Sequence, residues 1–277
     1  MALLFSLLPS HGLTQQAPNQ SPVDSSEWRG ANTQEDSDRF WQAMRLGQFG
    51  ERTIIEQQDV IKIRAPSRAE DDAIVPVSIE LSTPPGFETI TKVYLIVDVN
   101  PVPMAGAFTI NPKRGLEEID TRVRVNGYTY IRAIAETSEG ALYLDKQWVK
   151  SRGAGCSAPP NIDQEEHLRK LGKMRFRLDD ASDSARQVQL MISHPNNTGM
   201  QKDQLSLLYI PPHYIKEVDV WIGEEKLLHA DTTFSISENP SFRFRLGNEE
   251  TAELTAIAKD TKGNVFVHKQ KTGNKPQ

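Results

Sequence analysis

Lys92-Val-Tyr-Leu-Ile-Val-Asp-Val-Asn-Pro101 is the stretch that decides the fold. It is a short run rich in β-branched side chains, stopped by Asn100-Pro101, and it reads as a buried strand. The same signature recurs on both sides of it. Upstream, Val60-Ile-Lys-Ile-Arg64 alternates, and Ala73-Ile-Val-Pro-Val-Ser-Ile-Glu-Leu81 is a second β-branched run. Pro76 in that run predicts an edge or bulge position, because proline has no N–H to give a ladder. Downstream, residues 107–110, 117–125, 127–136 and 141–149 read as further strands. Turn signals separate them: Pro84-Pro-Gly, Pro101-Val-Pro, Val125-Asn-Gly and Ser138-Glu-Gly. Short strands with turns at this spacing predict an antiparallel sandwich. Before them, Phe40, Trp41, Met44 and Leu46 recur at helical spacing and predict a short helix over 35–46, stopped by Gly47 and Gly50. Phe40 and Trp41 read as core residues.

The second half repeats the style. Residues 188–192, 218–222, 226–232, 241–246, 252–259 and 265–269 read as strands, with hairpin turns at Trp221-Ile-Gly-Glu-Glu-Lys226 and Asp260-Thr-Lys-Gly-Asn264. Between the halves lies Ser151-Arg-Gly-Ala-Gly-Cys-Ser-Ala-Pro-Pro-Asn161, which holds small residues, glycines and prolines and no large apolar side chain. It reads as a linker. The expected organisation is therefore a signal-like, poorly ordered segment over 1–34, a β-sandwich over 35–150, a cysteine-bearing arm over 151–162 and a second β-sandwich over 163–277. Residues 163–172 read as a short helix or a solvated charged extension leading into the second sandwich.

Composition narrows the function. The 277 residues are 38% hydrophobic and 25% charged, which suits two domains that each bury a core. The net charge of −5 and the scattered Lys and Arg exclude the basic stripe of a nucleic-acid partner. No run approaches the length of a membrane span. Met1-Ala-Leu-Leu-Phe-Ser-Leu-Leu, followed by a polar Gln/Ser/Asn/Pro-rich tract over 15–36, resembles the apolar core of a secretory signal without its basic leader and predicts export, with a plain apolar tail as the alternative reading.

The sequence holds one cysteine, Cys156, and so no internal disulfide. A structural cysteine belongs on the inner face of a strand, whereas Cys156 sits among small residues with nothing to pack against. Gly153 and Gly155 are expected to give the arm flexibility, and Lys150 and Arg152 to favour the thiolate. An incidental thiol in a linker is the alternative reading at this point. A loop from 149 to 163, tied at both ends, can project by on the order of 20 Å. None of the six histidines forms an i, i+4 pair, so no metal or cofactor is expected, and His194 and His213 read as loop-ordering or interface residues. There is no Gly-x-Ser-x-Gly elbow and no phosphate loop. His167, the histidine nearest Cys156 in sequence, lies beside a small-residue linker that cannot fix a general base. No catalytic residue is expected, and the chain reads as a non-enzyme.

The first half resembles SoxY and the second half SoxZ, the two subunits of the sulfur-compound carrier of thiosulfate oxidation. The SoxY-like strings are Ile74-Val-Pro-Val-Ser-Ile79, Tyr94-Leu-Ile-Val-Asp-Val-Asn-Pro-Val-Pro-Met104, Thr121-Arg-Val-Arg-Val125, Ile134-Ala-Glu-Thr-Ser-Glu-Gly140 and Val149-Lys-Ser-Arg-Gly-Ala-Gly-Cys156. The SoxZ-like strings are Ile192-Ser-His-Pro-Asn-Asn-Thr-Gly-Met-Gln-Lys-Asp203, Ile210-Pro-Pro-His-Tyr-Ile-Lys-Glu-Val218 and Ser237-Glu-Asn-Pro-Ser-Phe-Arg-Phe244. The resemblance implies two immunoglobulin-like sandwiches packed together and covalent attachment of sulfur compounds at Cys156. It also implies presentation of the adduct to periplasmic sulfur-oxidation enzymes. Fused carriers of this kind are linked to quinoprotein dehydrogenases, and a disulfide-linked dimer through Cys156 is a further implied form. One departure stands out: the family's arm is a free Gly-Gly-Cys-Gly-Gly tail, whereas here Gly153-Ala-Gly-Cys-Ser-Ala-Pro-Pro160 runs on into a second domain. Ala, Ser and two prolines stiffen it.

Overall fold

The computed structural model describes residues 32–83, 89–114, 116–160, 164–179, 185–247 and 253–271. The signal-like segment and most of the polar tract lie outside these residues, as does the Pro84-Pro-Gly turn.

The first half contains helix α1 (Gln34–Phe49) and strands β1 (Ile54–Glu56), β2 (Ile61–Arg64), β3 (Val75–Leu81), β4 (Ile90–Val97), β5 (Met104–Ile110), β6 (Glu118–Val123), β7 (Thr129–Thr137) and β8 (Leu142–Val149). The second contains helix α2 (Gln164–Lys170) and strands β9 (Met174–Leu178), β10 (Ala185–Ile192), β11 (Ile215–Ile222), β12 (Glu225–Thr232), β13 (Ser241–Gly247), β14 (Glu253–Asp260) and β15 (Val265–Lys271). The expected all-β class with one short N-terminal helix is found. The short strands β1 and β9 lie in stretches without a long β-branched run.

Two sheets carry the molecule, and both run through the two halves. The nine-stranded sheet has the order β1-β8-β7-β4-β5-β12-β11-β14-β15, and the six-stranded sheet the order β2-β3-β6-β13-β10-β9. The halves join by antiparallel pairing of β5 with β12, Phe108 opposite Ala230, and of β6 with β13, Ile119 opposite Phe244. A single apolar core fills the space between the sheets across the join. Phe108 of the first half meets Phe242 of the second edge to face, at 6.1 Å between ring centres. The two sandwiches therefore share backbone ladders and a core, and residues 31–277 form one compact unit.

α1 explains why β4 is buried on both faces. Its Trp41 and Phe49 pack on Tyr94, Ile96, Ile134 and Leu144, the outward side chains of β4, β7 and β8. The helix is capped by a box in which the Thr33 side chain accepts from Asp36 N–H and the Asp36 carboxylate accepts from the Thr33 backbone. This cap starts the helix at Gln34, one residue before the expected start, and the helix passes Gly47 to end at Phe49, with Gly50 as its C-cap. A buried network ties the helix to the sheet: Ser37 Oγ donates to Asp98 Oδ2 at 2.7 Å, and Arg132 Nε donates to both oxygens of Asp98.

Pro76 sits in β3, an interior strand, yet causes no defect. Leu81 N–H donates to Glu117 O on the β6 side. Donor direction alternates along a strand, so the Pro76 nitrogen faces the other side. There the β2 ladder has already ended, at the Arg64–Ser78 pair.

Candidate functional site

The arm leaves β8 at Val149 and is docked at once. Ser151 is buried, its Oγ donating to Val125 O and accepting from Gly153 N–H. Arg152 N–H donates to Asp72 Oδ2 at 3.0 Å. Gly153 has φ +85°, a left-handed turn that favours glycine. Residues 154–157 then form a tight turn closed by Ser157 N–H on Ala154 O at 2.9 Å.

This turn is gripped from both halves. Gly155 N–H donates to Val125 O at 3.2 Å, and Cys156 N–H to Asn126 Oδ1 at 3.4 Å. From the second half, Thr198 Oγ1 donates to Cys156 O at 2.6 Å and Gln201 Nε2 to Ala158 O at 3.0 Å. Gln201 Oε1 accepts in turn from Thr198 N–H, which sets both donors in one frame.

Cys156 is fully buried at 0% exposure. Burial pushes its thiol up to about 12, opposed by the charge of Arg124. The sequence expectation of an exposed, thiolate-favouring arm is corrected on three points. The thiol is covered, because residues 196–201 of the second half close over a stretch that looks unpacked when read as a string. Lys150 and Arg152 are exposed, and the cation that acts on the sulfur is Arg124. Gly155 serves close approach rather than flexibility, since a Cβ there would lie 2.1 Å from Asp72 O and 2.5 Å from Val125 O.

Arg124 was missed by sequence reasoning. In Thr121-Arg-Val-Arg-Val125 the alternation sends Arg122 and Arg124 to the same outward face. β6 ends at Val123, however, and beyond it the second half covers the chain, so Arg124 is 1% exposed. Its Nη1 donates to Gly155 O at 3.2 Å and its Nη2 to Asn196 O at 3.3 Å, while its Nε has no partner. Burial lowers its pKa, and the charges of Cys156, Glu238 and Asp71 act the other way.

Behind the 196–201 loop lies a second buried group that the sequence does not reveal. His194, His213 and Asp260 converge, with His213 Nε2 2.7 Å and His194 Nε2 3.6 Å from Asp260 Oδ2. Three such residues can hold a metal ion only where their lone pairs are free. Here His194 Nδ1 accepts from Asn196 N–H at 3.1 Å, so the neutral ring carries its proton on Nε2, the atom turned to Asp260. Asp260 also accepts from Lys262 N–H, Asn264 N–H and Asn264 Nδ2. Burial alone would raise the Asp260 carboxyl, but the Asn264 and His213 hydrogen bonds hold it at about 2. Burial and the neighbouring His213 lower His194 to about 4. The donor set fits a hydrogen-bonded lock between the arm-covering loop and the β14–β15 hairpin better than a metal centre.

Comparison with protein families settles the lineage. Residues 46–156 match the model for sulfur oxidation protein SoxY, and residues 174–271 match that for sulphur oxidation protein SoxZ. The chain is a fused member of the SoxY–SoxZ carrier family. Cys156 is the last residue of the SoxY match. The SoxY region supplies Val125, Asn126 and Arg124 to the arm, and the SoxZ region supplies Asn196, Thr198 and Gln201. SoxY–SoxZ proteins form a sulfur-oxidation carrier family rather than a catalytic one, and Sox carriers are generally periplasmic. No curated protein matches the chain. Among solved structures, a superoxide reductase (neelaredoxin) from Ignicoccus hospitalis is similar at 16% identity over 34% of this chain and 80% of its own, with a TM-score of 0.29. A β-glycosidase from Bacteroides vulgatus is similar at 12% identity over 78% of this chain and 25% of its own, with a TM-score of 0.24. Neither likeness carries a functional argument. Among the described residues no helix is long and apolar enough to cross a membrane.

Proposed function

We propose that this chain is a periplasmic carrier that binds sulfur-compound intermediates covalently through Cys156 and presents them to partner enzymes. The observation that carries this reading is the way the sole cysteine is held. It ends the SoxY match on a tight turn fixed mainly by hydrogen bonds to backbone and small polar groups, at the seam of the two halves. Such a turn can lift off without opening the apolar core. The docked thiol is inert at neutral pH, because the thiolate is the nucleophile and burial suppresses it. The arm therefore works in an undocked state, as a loop tethered by β8 on one side and α2 on the other. The partners are enzymes of sulfur oxidation or a quinoprotein dehydrogenase system, with a pocket that admits a loop rather than a free tail.

A second reading makes the chain a β-sandwich adaptor of a periplasmic dehydrogenase, in which the thiol is incidental; the complete burial of Cys156 favours it. Intact mass measurement of protein from its native host separates the two. Sulfur-containing mass additions that map to Cys156, together with loss of function in Cys156→Ala, support the carrier. A free thiol throughout, with full function in Cys156→Ala, overturns it. A non-reducing gel of the same sample tests for the disulfide-linked dimer.

A further inference from the structure

Arg124 is a buried guanidinium with no carboxylate in contact. Among the described residues it forms no ion pair, and its two hydrogen bonds go to neutral carbonyls. Its Nε–H has no partner. Buried charges are normally paired, because removing an ion from water is costly and neutral dipoles compensate only in part. The other fully buried arginine, Arg132, follows that rule with two carboxylates. Arg124, by contrast, has no carboxylate in contact, and the charges of Glu238 and Asp71 reach it only from beyond hydrogen-bond distance, which leaves room for an anion at its free donor. The carbonyls it holds belong to Gly155, the neighbour of Cys156, and to Asn196, on the loop that covers the arm. The fork thus grips the turn that carries the sulfur, close enough for its charge to act on the thiol, with the Nε–H donor unused.

We propose that Arg124 is the anion-holding residue of the Cys156 site, so that the site takes sulfur species ending in a negatively charged group in preference to neutral or cationic ones. This rests on the carrier reading for its biological meaning, though not for its chemistry. The planar, permanently charged guanidinium suits a sulfonate-like or sulfide-like anion, and a neutral adduct leaves it uncompensated. Arg124 acts as a specificity residue, and the sulfur remains the nucleophile.

Two disulfide-type reagents of opposite charge test this on the intact chain. With tetrathionate, the Cys156 thiol loses its proton to solvent and the thiolate attacks a central sulfur of the reagent. The central S–S bond breaks, thiosulfate leaves with the electron pair, and the Cys156 sulfur keeps the other half of the reagent as Sγ–S–SO3⁻; the reagent is itself the oxidant. With cystamine, the same exchange releases aminoethanethiol and leaves a cationic mixed disulfide. Because the thiol reacts undocked and the adduct meets Arg124 on redocking, the ratio measured is that of the two exchange equilibrium constants, tetrathionate against thiosulfate over cystamine against aminoethanethiol, by mass spectrometry for the native chain and for the chain unfolded in urea. The expected ratio is at least about tenfold higher in the native chain. Folded Arg124→Met is expected to fall to the unfolded value, and Arg124→Lys to lie between. Equal ratios in native and unfolded wild type overturn the proposal, and this comparison decides alone if the variants do not fold. An undiminished ratio in folded Arg124→Met also overturns it. The carrier reading fails separately: an anion preference without any adduct on the native-host protein removes the carrier and leaves the site. Adducts without an anion preference remove only the role of Arg124.

Discussion

Arg132 and Arg124 are the two fully buried guanidinium groups of the described residues, and they are treated in opposite ways. Arg132 donates to both oxygens of Asp98, reaches Asp38, and lies over the rings of Trp41 and Tyr130 at 4.9 and 5.0 Å. Every element of that cluster belongs to the first half, and its task is to fix α1 on the nine-stranded sheet. Arg124 has neutral carbonyls on two sides and an unused donor. Its hydrogen bonds go to the arm and to the 196–201 loop of the second half, and the charges of Asp71 and Glu238 act on it without contact. A satisfied buried charge reads as architecture, and an unsatisfied one beside a thiol reads as a site.

The largest effect expected from breaking this contrast is on stability. Arg132→Met leaves Asp98 buried without its partner and should cost about 3–5 kcal/mol in urea unfolding. Burial already raises the Asp98 carboxyl to about 6 against the opposing pull of Arg132, so the orphaned group will be protonated at neutral pH. Arg124→Met removes an unpaired cation as well as two hydrogen bonds, and should cost at least about 2 kcal/mol less than Arg132→Met. Equal costs would mean that Arg124 is architecture too.

The buried histidine lock behind the arm should give the next largest effect, through pH. The unfolded chain takes a proton on His194 near the ordinary value of 6.5, whereas the folded chain does so only near 4. Between those values the unfolded state binds more protons, so this contribution to stability is lost as pH falls from about 6.5 to about 4. Asp98 works the other way over part of this window, because its folded value is the raised one. Comparing wild type with His194→Gln cancels the Asp98 contribution. The difference in unfolding free energy between pH 6.5 and pH 4 should change by on the order of 3 kcal/mol. Parallel pH profiles for the two proteins would remove His194 from the account.

The smallest effects concern the arm and are best read as reaction rates. Gly155→Ala drives a Cβ into Asp72 O and Val125 O. It should unseat the turn and raise the rate at which neutral iodoacetamide alkylates Cys156 by roughly tenfold or more, since opening exposes the sulfur and restores an ordinary thiol pKa. Thr198→Val deletes one donor to Cys156 O and, at about 1 kcal/mol, should raise the same rate by no more than about tenfold. Unchanged rates in both would show that the docked turn does not guard the thiol.

Much of the fold was legible because β-branched runs and turn residues act locally. The run around Tyr94 and the Trp221–Lys226 hairpin follow from backbone chemistry that neighbouring residues set, whereas Pro76, expected at an edge or bulge, lies in an interior strand where the β2 ladder stops short of it. The short strands β1 and β9 carry only brief signals, Thr53-Ile-Ile55 and the alternation Met174-Arg-Phe-Arg-Leu178, and their pairing depends on distant partners. The site was legible only as a cysteine after two glycines in a small-residue stretch. That Gly155 is needed for contact, that the sulfur is covered, and that Arg124 is turned inward all depend on residues that lie far apart in the chain.

By itself, then, the sequence determined the all-β class, the short helix before the strands and the identity of the one thiol. Each of these rests on composition or on periodicity within a few residues. Only the tertiary structure decided that the two halves share their sheets, that Cys156 rests buried rather than exposed, and that Arg124 rather than Lys150 or Arg152 is the cation beside it. The physical reason is that burial and charge pairing are set by what packs across the seam between the halves, and no local pattern of residues encodes which surface will cover another.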